Sequence, residues 1–472
     1  MNSIKKNYFY NVIYEVLVIV IPLITSPYIS RVLGPDGIGV YTFRFSVANY
    51  FLLFARLGIQ NYGTRSIAGA KTQVEKDTIF SSILFLQIIL AVTTMLIYGV
   101  YTFFVPDNQR ALAYLMMSYL VSSVFDVTWF FFGIEQFKIT ISRNIVIKVL
   151  STLLIFILVR HKEDLFKYAS ILAAGNFIGQ IALLPYLHGR VKITKIKAKT
   201  VLCVAKPIVI LFIPQIAVSL YKMMDKIMVG SMCIKSQLAY YEYASMIVGL
   251  PLGFITSLGT IMLPRTAALL RDGQEEKSKE YMYYSMLFSV GLSFAFSFGI
   301  SGISPVFVPF YFGSDFSPTS KLLIGLSISL PFISWANVIR TQYLIPKKHD
   351  KEYIISLFCG AIANIIFNVL LIPKLEAFGA VIGTIVAEVV VCLVQTFFVQ
   401  KAISLRKMFE GSMGFCGIGI IMILIISIIP KFGFSEIITL LLQVIIGMLL
   451  YMGFSIIYLR FVLRIDLKQL KR

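Results

Sequence analysis

The sequence predicts an all-α polytopic membrane protein with about fourteen transmembrane helices. Composition is the first reason: of the 472 residues 58% are hydrophobic and only 14% are charged, whereas soluble domains carry about 25% charged residues. The second reason is that apolar stretches of about 20 residues, long enough to cross the hydrocarbon of a bilayer, recur along the whole chain. The third is that the longest hydrophilic stretch, 264–280, is too short to fold as a separate domain.

The apolar stretches divide the chain into membrane spans of similar length. We place them at 8–30, 40–62, 79–104, 109–132, 143–159, 168–187, 202–221, 237–263, 281–311, 320–345, 353–372, 377–399, 412–430 and 436–459.

An internal repeat groups these spans into two lobes. Residues 41–68 align weakly with 241–268, and the only two tryptophans, Trp129 and Trp335, fall in the fourth span of each half. Repeats of this kind are typical of transporters. We therefore predict two six-helix lobes followed by two further helices and a cytoplasmic tail, with boundaries at 1–200, 201–401 and 402–472.

The net charge of +20 is explained by membrane topology. Lys and Arg concentrate in alternate loops, on the side that holds both termini, and cytoplasmic loops are enriched in these residues. We therefore expect both termini to be cytoplasmic and the basic residues to contact anionic membrane lipids, with no nucleic acid partner. The run RVKITKIKAK, 190–199, is expected to be a solvated loop that lies on lipid headgroups.

The sequence shows no catalytic or metal-binding constellation. The five cysteines are scattered without paired spacing, and the three histidines fall in or beside different loops, so no disulfide, metal site or cofactor is predicted. No acidic pair or nucleophile is presented on a large loop. A bundle with short loops is instead typical of a transporter, and no enzyme activity is expected.

Two stretches resemble a known family. SPYISRVLGPDGIGVYTFRFSVANYFLLFARLGIQNYGTRSIA (26–68) and FDVTWFFFGIEQFK (125–138) resemble the Wzx-like polysaccharide flippases of the multidrug/oligosaccharidyl-lipid/polysaccharide exporter superfamily. The resemblance implies a V-shaped pair of lobes, related by a pseudo-twofold axis, around a central cavity. It also implies that the protein flips an undecaprenyl-pyrophosphate-linked oligosaccharide from the inner to the outer leaflet of the bacterial cytoplasmic membrane by alternating access. The cargo would serve capsule, O-antigen or another surface polysaccharide, and a polysaccharide polymerase is a candidate partner.

Two arginines lie within the second predicted span, where a charged side chain costs on the order of 2.5–3.5 kcal/mol. Arg44 and Arg56 each lie toward one end of that span, so one explanation is that their long side chains snorkel to the headgroups. The other is that they face a wet cavity and bind the substrate pyrophosphate, since guanidinium pairs with phosphate oxygens in a bidentate manner. Both residues are therefore candidate substrate-binding residues.

Three further cations are candidates for the same role. Lys148 and Arg340 are predicted in the inner third of their spans, where snorkelling explains them equally well. Arg31, in SRVLG, matches an arginine that lipid flippases of the superfamily carry in the same motif. The chain then continues as GPDG, without the basic and acidic residues of the peptidoglycan-precursor branch, which argues against a dedicated peptidoglycan-precursor flippase.

Three carboxylates within predicted spans are candidates for coupling to protons or sodium, with the membrane potential as a further energy source. Glu388 lies nearest a helix centre, and Asp126 and Glu15 are the others; pairing with a neighbouring cation explains Glu388 and Asp126 as well. Prolines that interrupt helical hydrogen bonds are candidate hinges, although a static kink is the usual result. They fall at corresponding positions of the two lobes: Pro22, Pro27, Pro207 and Pro214.

Two other functions remain open. A multidrug and cation antiporter of the same superfamily would need an acidic and aromatic cavity, whereas the candidate cations favour an anionic cargo. A membrane polymerase or transferase would need catalytic residues on a large outer loop, and the outer loops are short. The flippase is the leading hypothesis, and the sign of the charge in the cavity distinguishes it from the antiporter.

Overall fold

A computed structural model gives the fold of the chain. It describes residues 2–464, except for the side chains of 2–15, 213–215, 217–218 and 220–222. Within the described residues every regular element is a helix, as the sequence predicts. The chain divides into two compact units, Met1–Ser219 and Leu220–Arg472, and each is described by itself. The predicted lobe boundaries at 200 and 401 stay predictions.

The first unit is built from helices that cover the predicted spans one to six and the start of the seventh. They are α1 (Asn2–Arg56), α2 (Ile59–Gly69), α3 (Gln73–Phe103), α4 (Asp107–Val124), α5 (Thr128–Gly133), α6 (Phe137–Leu158), α7 (Leu165–Ile181) and the first part of α8 (Ala198–Met232).

The second unit contains the rest of α8 and eight further helices among its described residues. They are α9 (Lys235–Arg271), α10 (Glu275–Phe312), α11 (Thr319–Ser327), α12 (Leu330–Ile339), α13 (Asp350–Leu375), α14 (Ala377–Val399), α15 (Leu405–Ile426) and α16 (Glu436–Ile457).

Helix α1 contains the first two predicted spans, joined almost without a loop. At 55 residues it is more than twice as long as the stretch of about 20 residues that crosses hydrocarbon. Gly34 is its one residue with non-helical backbone angles, φ 67° and ψ 176°, a conformation that favours glycine because glycine has no Cβ. The expected loop between spans 8–30 and 40–62 is therefore wrong: one glycine, just before Pro35, breaks the helix.

The helix of the second predicted span is also interrupted. α1 stops at Arg56 and α2 begins at Ile59, with Leu57 at φ 40° between them. A non-glycine residue with positive φ is unfavourable inside a helix, so the break is sharp. Arg56 is consequently the last residue of α1, within the stretch Val16–Gly69 that is apolar enough to cross a bilayer.

The fourth predicted span of each half is interrupted in the same way. In the first unit α4 is followed by α5, and in the second unit α11 is followed by α12. Trp129 in α5 donates its indole N–H to Oε1 of Gln87 in α3 (3.1 Å). Trp335 in α12 donates to Oγ1 of Thr396 in α14 (3.0 Å). Each tryptophan therefore ties the second half of a broken span to another helix of its own unit.

A buried core in the first unit surrounds Trp129. Phe80 and Ile83 of α3 and Ile208 of α8 belong to it. Gly63 of α2 allows the close approach, because a Cβ there would lie 2.6 Å from Cε3 of Trp129. This core holds α2, α3, α5 and the start of α8 together.

Most of the described chain is membrane-spanning. Among the described residues, twelve helical stretches are long and apolar enough to cross a bilayer, and one of them, Val16–Gly69, includes the break at Gly34. The predicted span at 202–221 corresponds to α8, several of whose side chains are not described. The protein is a multi-pass membrane protein, as its composition predicts.

The basic run at 190–199 differs from the solvated loop that we expected. The backbone N–H of Lys192 donates to Oδ1 of Asp77 (3.0 Å), and the backbone N–H of Thr194 donates to Oγ of Ser81 (2.9 Å). Both acceptors are buried side chains of α3. The backbone of this run is therefore fastened to a helix, while its lysine side chains are exposed.

Candidate functional site

Arg44 is a buried cation of the first unit. Its side chain is only 4% exposed. One terminal nitrogen donates to the hydroxyl of Tyr101 in α3 (2.8 Å), and the other donates to Oε1 of Gln109 in α4 (2.7 Å). The guanidinium carbon lies 5.2 Å from the centre of the Phe43 ring. The three helices α1, α3 and α4 thus supply only neutral groups to this charge.

The electrostatic balance around Arg44 is incomplete. Its Nε is buried and has no hydrogen-bond partner, and no carboxylate of the described residues lies within ion-pair distance of its guanidinium. Burying a charge without an opposite charge is costly. Burial among neutral groups does not match the snorkelling explanation, and the pyrophosphate-binding role of Arg44 stays a prediction.

Arg56 and Asp126 form an ion pair. Nη2 of Arg56 lies 3.3 Å from Oδ2 of Asp126, and the two side chains are 39% and 13% exposed. Oδ1 of Asp126 also accepts from the backbone N–H of Thr128 (3.2 Å) and from its hydroxyl (2.5 Å). The pair joins the end of α1 to the junction between α4 and α5, a structural role that the pairing alternative for Asp126 anticipates.

The other candidate cations occupy different environments. Arg31 is exposed and donates to the carbonyl of Pro27 in its own helix (2.8 Å), while Lys148 is half-buried in α6. Arg340 belongs to the second unit, where it opens a π-helical turn after α12. It donates to Oδ1 of Asn337. The substrate-binding role of these three residues stays a prediction.

The remaining predicted residues are the candidate coupling carboxylates and the candidate hinge prolines. Glu388 is buried in α14, with 8% exposure. Pro22 and Pro27 lie in stretches of α1 with helical backbone angles, and Pro207 lies in α8. The side chains of Glu15 and Pro214 lie outside the described residues. Coupling and hinge roles for this set stay predictions.

Asp225 is a buried carboxylate that the sequence analysis missed. It lies in α8, in the second unit, with 3% exposure. Oδ1 is 2.9 Å from Nδ2 of Asn364 and 2.6 Å from Nδ2 of Asn368. Oδ2 is 2.7 Å from the hydroxyl of Tyr241 and 2.7 Å from that of Thr384. Helices α8, α9, α13 and α14 therefore converge on one carboxylate.

Two signals in the sequence pointed to this cluster. Asn364 and Asn368 lie four residues apart in an apolar span, so they share one helix face. Polar side chains inside a span usually face the protein interior or a polar site. Asp225 itself was missed because the seventh span was ended at 221, whereas α8 continues to Met232.

Gly383 leaves space for the side-chain oxygen of Asn368 in this cluster. Oδ1 of Asn368 is buried without a hydrogen-bond partner, and a Cβ on Gly383 would lie 2.1 Å from it. Turning the amide of Asn368 would present this oxygen toward Asp225. Carboxylate, amide and hydroxyl oxygens are the ligands that hard cations prefer, and a buried carboxyl can alternatively carry a proton. With one carboxylate, the set suits a proton or a monovalent cation.

An apolar groove of about 800 Å³ lies within the second unit, between α9, α10, α15 and α16. Phe254, Phe288 and Met448 line it and are 65%, 62% and 58% exposed, so the groove is accessible. Two of its polar lining residues are turned to backbone: Gln443 donates to the carbonyls of Gly302 and Ile426, and Tyr451 donates to that of Gly291. The groove therefore offers a continuous apolar surface, of the kind that holds a hydrocarbon chain.

The chain matches two sequence families, each over more than half of its length. Residues 4–270 match the family described as Polysaccharide biosynthesis protein. Residues 160–461 match the family described as Lipid II flippase MurJ.

Two curated relatives are each named "Putative O-antigen transporter". The relative from Shigella dysenteriae is 24% identical over 397 residues, which cover 81% of this chain and 95% of the relative. The relative from Escherichia coli (strain K12) is 26% identical over 414 residues, which cover 85% of this chain and 99% of the relative.

Solved structures share the fold. A lipid II flippase MurJ in an inward closed conformation superposes with a TM-score of 0.79 and 18% identity, covering 97% of this chain and 100% of that chain. An inward-facing multidrug resistance transporter of the MATE family superposes with a TM-score of 0.58 and 16% identity, covering 82% and 99%. The family matches and these folds agree with the resemblance carried by 26–68 and 125–138. The chain belongs to the polysaccharide biosynthesis protein family, as a Wzx-like flippase of the multidrug/oligosaccharidyl-lipid/polysaccharide exporter superfamily.

Proposed function

We propose that this flippase moves a polyprenyl-pyrophosphate-linked oligosaccharide from the inner to the outer leaflet of a bacterial cytoplasmic membrane by alternating access. The relatives named as O-antigen transporters support a surface-polysaccharide cargo, and the fold shared with MurJ supports a flipping mechanism. The observation that carries the proposal is the apolar groove of the second unit. A cargo with a long hydrocarbon chain needs such a path, whereas a water-soluble cargo does not.

In this proposal the groove positions the polyprenyl chain and contributes little to its binding affinity. A polyprenyl chain is already surrounded by apolar tails in the bilayer, so moving it into an apolar groove brings little hydrophobic gain. The groove instead fixes where the chain lies relative to α9, α10, α15 and α16. Holding the chain in place restricts the positions that its attached headgroup can reach, which favours productive encounters with polar sites.

Arg44 receives the pyrophosphate in this proposal. Its guanidinium is always charged and presents paired N–H donors that match phosphate oxygens. The neutral partners Tyr101 and Gln109 orient the side chain without neutralising it. Charge-assisted hydrogen bonds are stronger where water is scarce, and the burial of Arg44 provides that condition.

Asp225 couples transport to a proton or to sodium in this proposal. Four neutral donors contact the carboxylate of Asp225, and a proton or a cation that binds there must replace some of these contacts. Binding or release of that cation would change how α8, α9, α13 and α14 pack around it, and a ligand that favours one packing shifts the conformational equilibrium. This proposal replaces Glu388 with Asp225 as the first candidate for coupling.

The same proposal includes the orientation of the termini, the absence of catalytic activity and the partner of the protein. The excess of Lys and Arg in alternate loops supports cytoplasmic termini. The relatives are transporters, which supports a chain without catalytic activity of its own. A polysaccharide polymerase that consumes the flipped cargo is the expected partner.

The groove is tested with one glycine substitution. Gly299 lines the groove, and a Cβ there would meet only Cε of Met422, at 3.9 Å, so Gly299→Leu fills the groove without a backbone clash. We expect about tenfold slower flipping of a polyprenyl-linked oligosaccharide in reconstituted vesicles, a change of about 1.4 kcal/mol, because the leucine side chain occupies volume that the polyprenyl chain would take. Flipping is measured as protection of the glycan from an external lectin.

A matched variant controls for the substitution itself. Gly249 lies in α9 outside the groove, and a Cβ there has no heavy atom within 4 Å. Gly249→Leu should therefore flip at the wild-type rate. Equal rates for Gly299→Leu and wild type would contradict the groove as the lipid path.

Antiport of cationic drugs is the second candidate, because the MATE-like fold and buried Asp225 are both compatible with it. The same vesicles decide between the two. Flipping of lipid-linked oligosaccharide without efflux of a cationic dye supports the flippase. Dye efflux without flipping supports the antiporter.

A further inference from the structure

The run 190–199, which we call the basic strap, is a charged surface that the proposed function does not use. It links the end of the sixth predicted span to α8 and belongs to the first unit. Its lysine side chains are exposed. They are Lys192, Lys195, Lys197 and Lys199.

The strap has a fixed course along α3. The carbonyl of Arg190 accepts from Nε2 of Gln73 (2.9 Å), the N–H of Lys192 donates to Asp77 (3.0 Å), and the N–H of Thr194 donates to Ser81 (2.9 Å). From Gln73 to Ser81 is eight residues of helix, so the strap rises about 12 Å along α3. It thereby reaches the point where the apolar part of the third span, predicted at 79–104, begins.

The strap has an inner and an outer side. Val191 and Ile196 pack against the buried core around Trp129. Ile193 points the other way and is 77% exposed, and Val74 at the start of α3 is 75% exposed. Exposed apolar residues beside exposed lysines, at the depth where a span begins, are typical of a surface at the boundary between headgroups and acyl chains.

Neighbouring carboxylates do not neutralise the strap. Glu75 accepts from the backbone N–H of Lys71 (2.9 Å), and Asp77 accepts from that of Lys192 (3.0 Å). The carboxylates at this end of α3 therefore bind backbone groups, and the lysine side chains of the strap keep their charge toward the surroundings.

We propose that the basic strap is a binding surface for anionic phospholipids, with its lysines on the headgroup phosphates and Ile193 among the acyl chains. Each Lys near an anionic membrane surface strengthens adsorption about fivefold. The hydrogen bonds to α3 hold the backbone in its bound course, so little ordering is required on binding. The strap recognises the charge of the headgroup and is independent of the transported cargo.

Energy transfer from Trp129 measures this binding, because Trp129 lies in the core that contacts the strap. The full chain carries Trp335→Phe, so that Trp129 is the one donor among its tryptophans. It is reconstituted in phosphatidylcholine vesicles that contain either pyrene-labelled phosphatidylglycerol or pyrene-labelled phosphatidylcholine. We expect more transfer to the phosphatidylglycerol probe, and a weaker preference in 1 M than in 0.1 M salt, because salt shortens the range of the attraction.

The decisive variant removes the four charges of the strap by Lys→Gln at 192, 195, 197 and 199. We expect the preference for phosphatidylglycerol to fall about tenfold or more. Changing the same four residues to Arg keeps the charges and should keep the preference. Ile193→Asn tests the apolar contact, and it should lower binding of both probes without changing the salt dependence.

A matched control removes the same number of charges elsewhere. Arg271, Lys277, Lys348 and Lys351 are exposed basic residues of the second unit, and their joint change to Gln should leave the preference intact. Circular dichroism and elution volume confirm that each variant folds. If the variant with four Lys→Gln changes does not fold, the Ile193→Asn variant and the comparison of 0.1 M with 1 M salt test the proposal in its place. The proposal is overturned if wild type shows no preference, or if control and strap variants lose it equally.

Discussion

Arg44 in the first unit and Asp225 in the second are buried charges that contact neutral groups, and the two sites differ in how completely the charge is satisfied. Arg44 in the first unit has two hydrogen-bond partners, Tyr101 and Gln109, and its Nε has none. Asp225 in the second unit has four polar groups within 3 Å of its two oxygens.

The difference indicates two different functional roles for Arg44 and Asp225. An undersatisfied cation retains the capacity to bind an anion that arrives from outside, so the site of Arg44 suits a transported substrate. A carboxylate that accepts from donors of three other helices is sensitive to a small cation or proton, because that ligand must exchange with the existing contacts. We therefore expect Arg44 variants to change cargo binding and Asp225 variants to change coupling.

The largest expected effect belongs to Arg44→Met, which removes the charge and keeps much of the side-chain volume. Hydrogen bonds to charged groups contribute about 1.5–3 kcal/mol, so flipping should fall about 10- to 100-fold. Thermal stability should stay equal or rise, because a buried cation without an opposite charge is removed. Vesicle flipping and thermal unfolding measure the two effects.

A neighbouring arginine controls for the change in charge. Arg110 pairs with Asp107 (2.7 Å) and is 38% exposed, so Arg110→Met should flip normally. Normal flipping by Arg44→Met would remove Arg44 from the transport path and would leave the fold assignment intact.

The next effect belongs to Asp225→Asn. The amide keeps the shape of the carboxylate, and the hydroxyls of Tyr241 and Thr384 can turn to accept from it, so the protein should fold. Gradient-driven flipping should lose its response to an imposed proton or sodium gradient, a loss of about tenfold. Glu388→Gln is the matched control and should keep the response; the reverse pattern would return coupling to Glu388.

A smaller effect is expected for Gly383→Ala. The new Cβ would lie 2.1 Å from Oδ1 of Asn368, so the amide must move, at a cost of about 1–3 kcal/mol in stability. The cation response should weaken severalfold while cargo binding is unchanged. Gly417→Ala, where a Cβ has no heavy atom within 4 Å, should be neutral or slightly stabilising; equal melting temperatures for the two variants would show that the space is not needed.

The smallest effect is expected for the pair of Arg56 and Asp126. Arg56 is 39% exposed, and partly exposed pairs contribute about 0.2–1 kcal/mol. A double-mutant cycle with Arg56→Gln and Asp126→Asn measures this coupling by thermal unfolding. Flipping by both single variants should stay close to wild type, and a large loss in either would give the pair a transport role.

The contrast also shows what a sequence can predict for such a protein. Long apolar runs predicted the helices, because a lipid environment leaves few other structures for the backbone. Arg44 could be singled out because a cation in an apolar run is rare. Its partners Tyr101 and Gln109 could not, because they lie 57 and 65 residues away and only tertiary packing brings them near.

Errors in span ends had chemical consequences. Ending the seventh span at 221 placed Asp225 in a loop and hid the cluster on Asn364 and Asn368. Treating 40–62 as one continuous helix overlooked Gly58, although a glycine commonly follows a helix end. After residue 221 polar residues begin while the helix continues to Met232, and at Leu57 and Gly58 the helix breaks while apolar residues continue. Hydropathy reports neither change.

The single break in α1 has a mechanical consequence. Only the two torsion angles of Gly34 separate the crossing that contains Pro22 from the crossing that ends at Arg56, and a peptide chain bends at such torsions because the peptide groups themselves are rigid. A tilt of the helix segment before Gly34 is therefore transmitted directly to the segment after it. Gly34→Ala strains this conformation, so it should slow flipping in vesicles and lower the melting temperature while leaving the contacts of Arg44 and Asp225 unchanged.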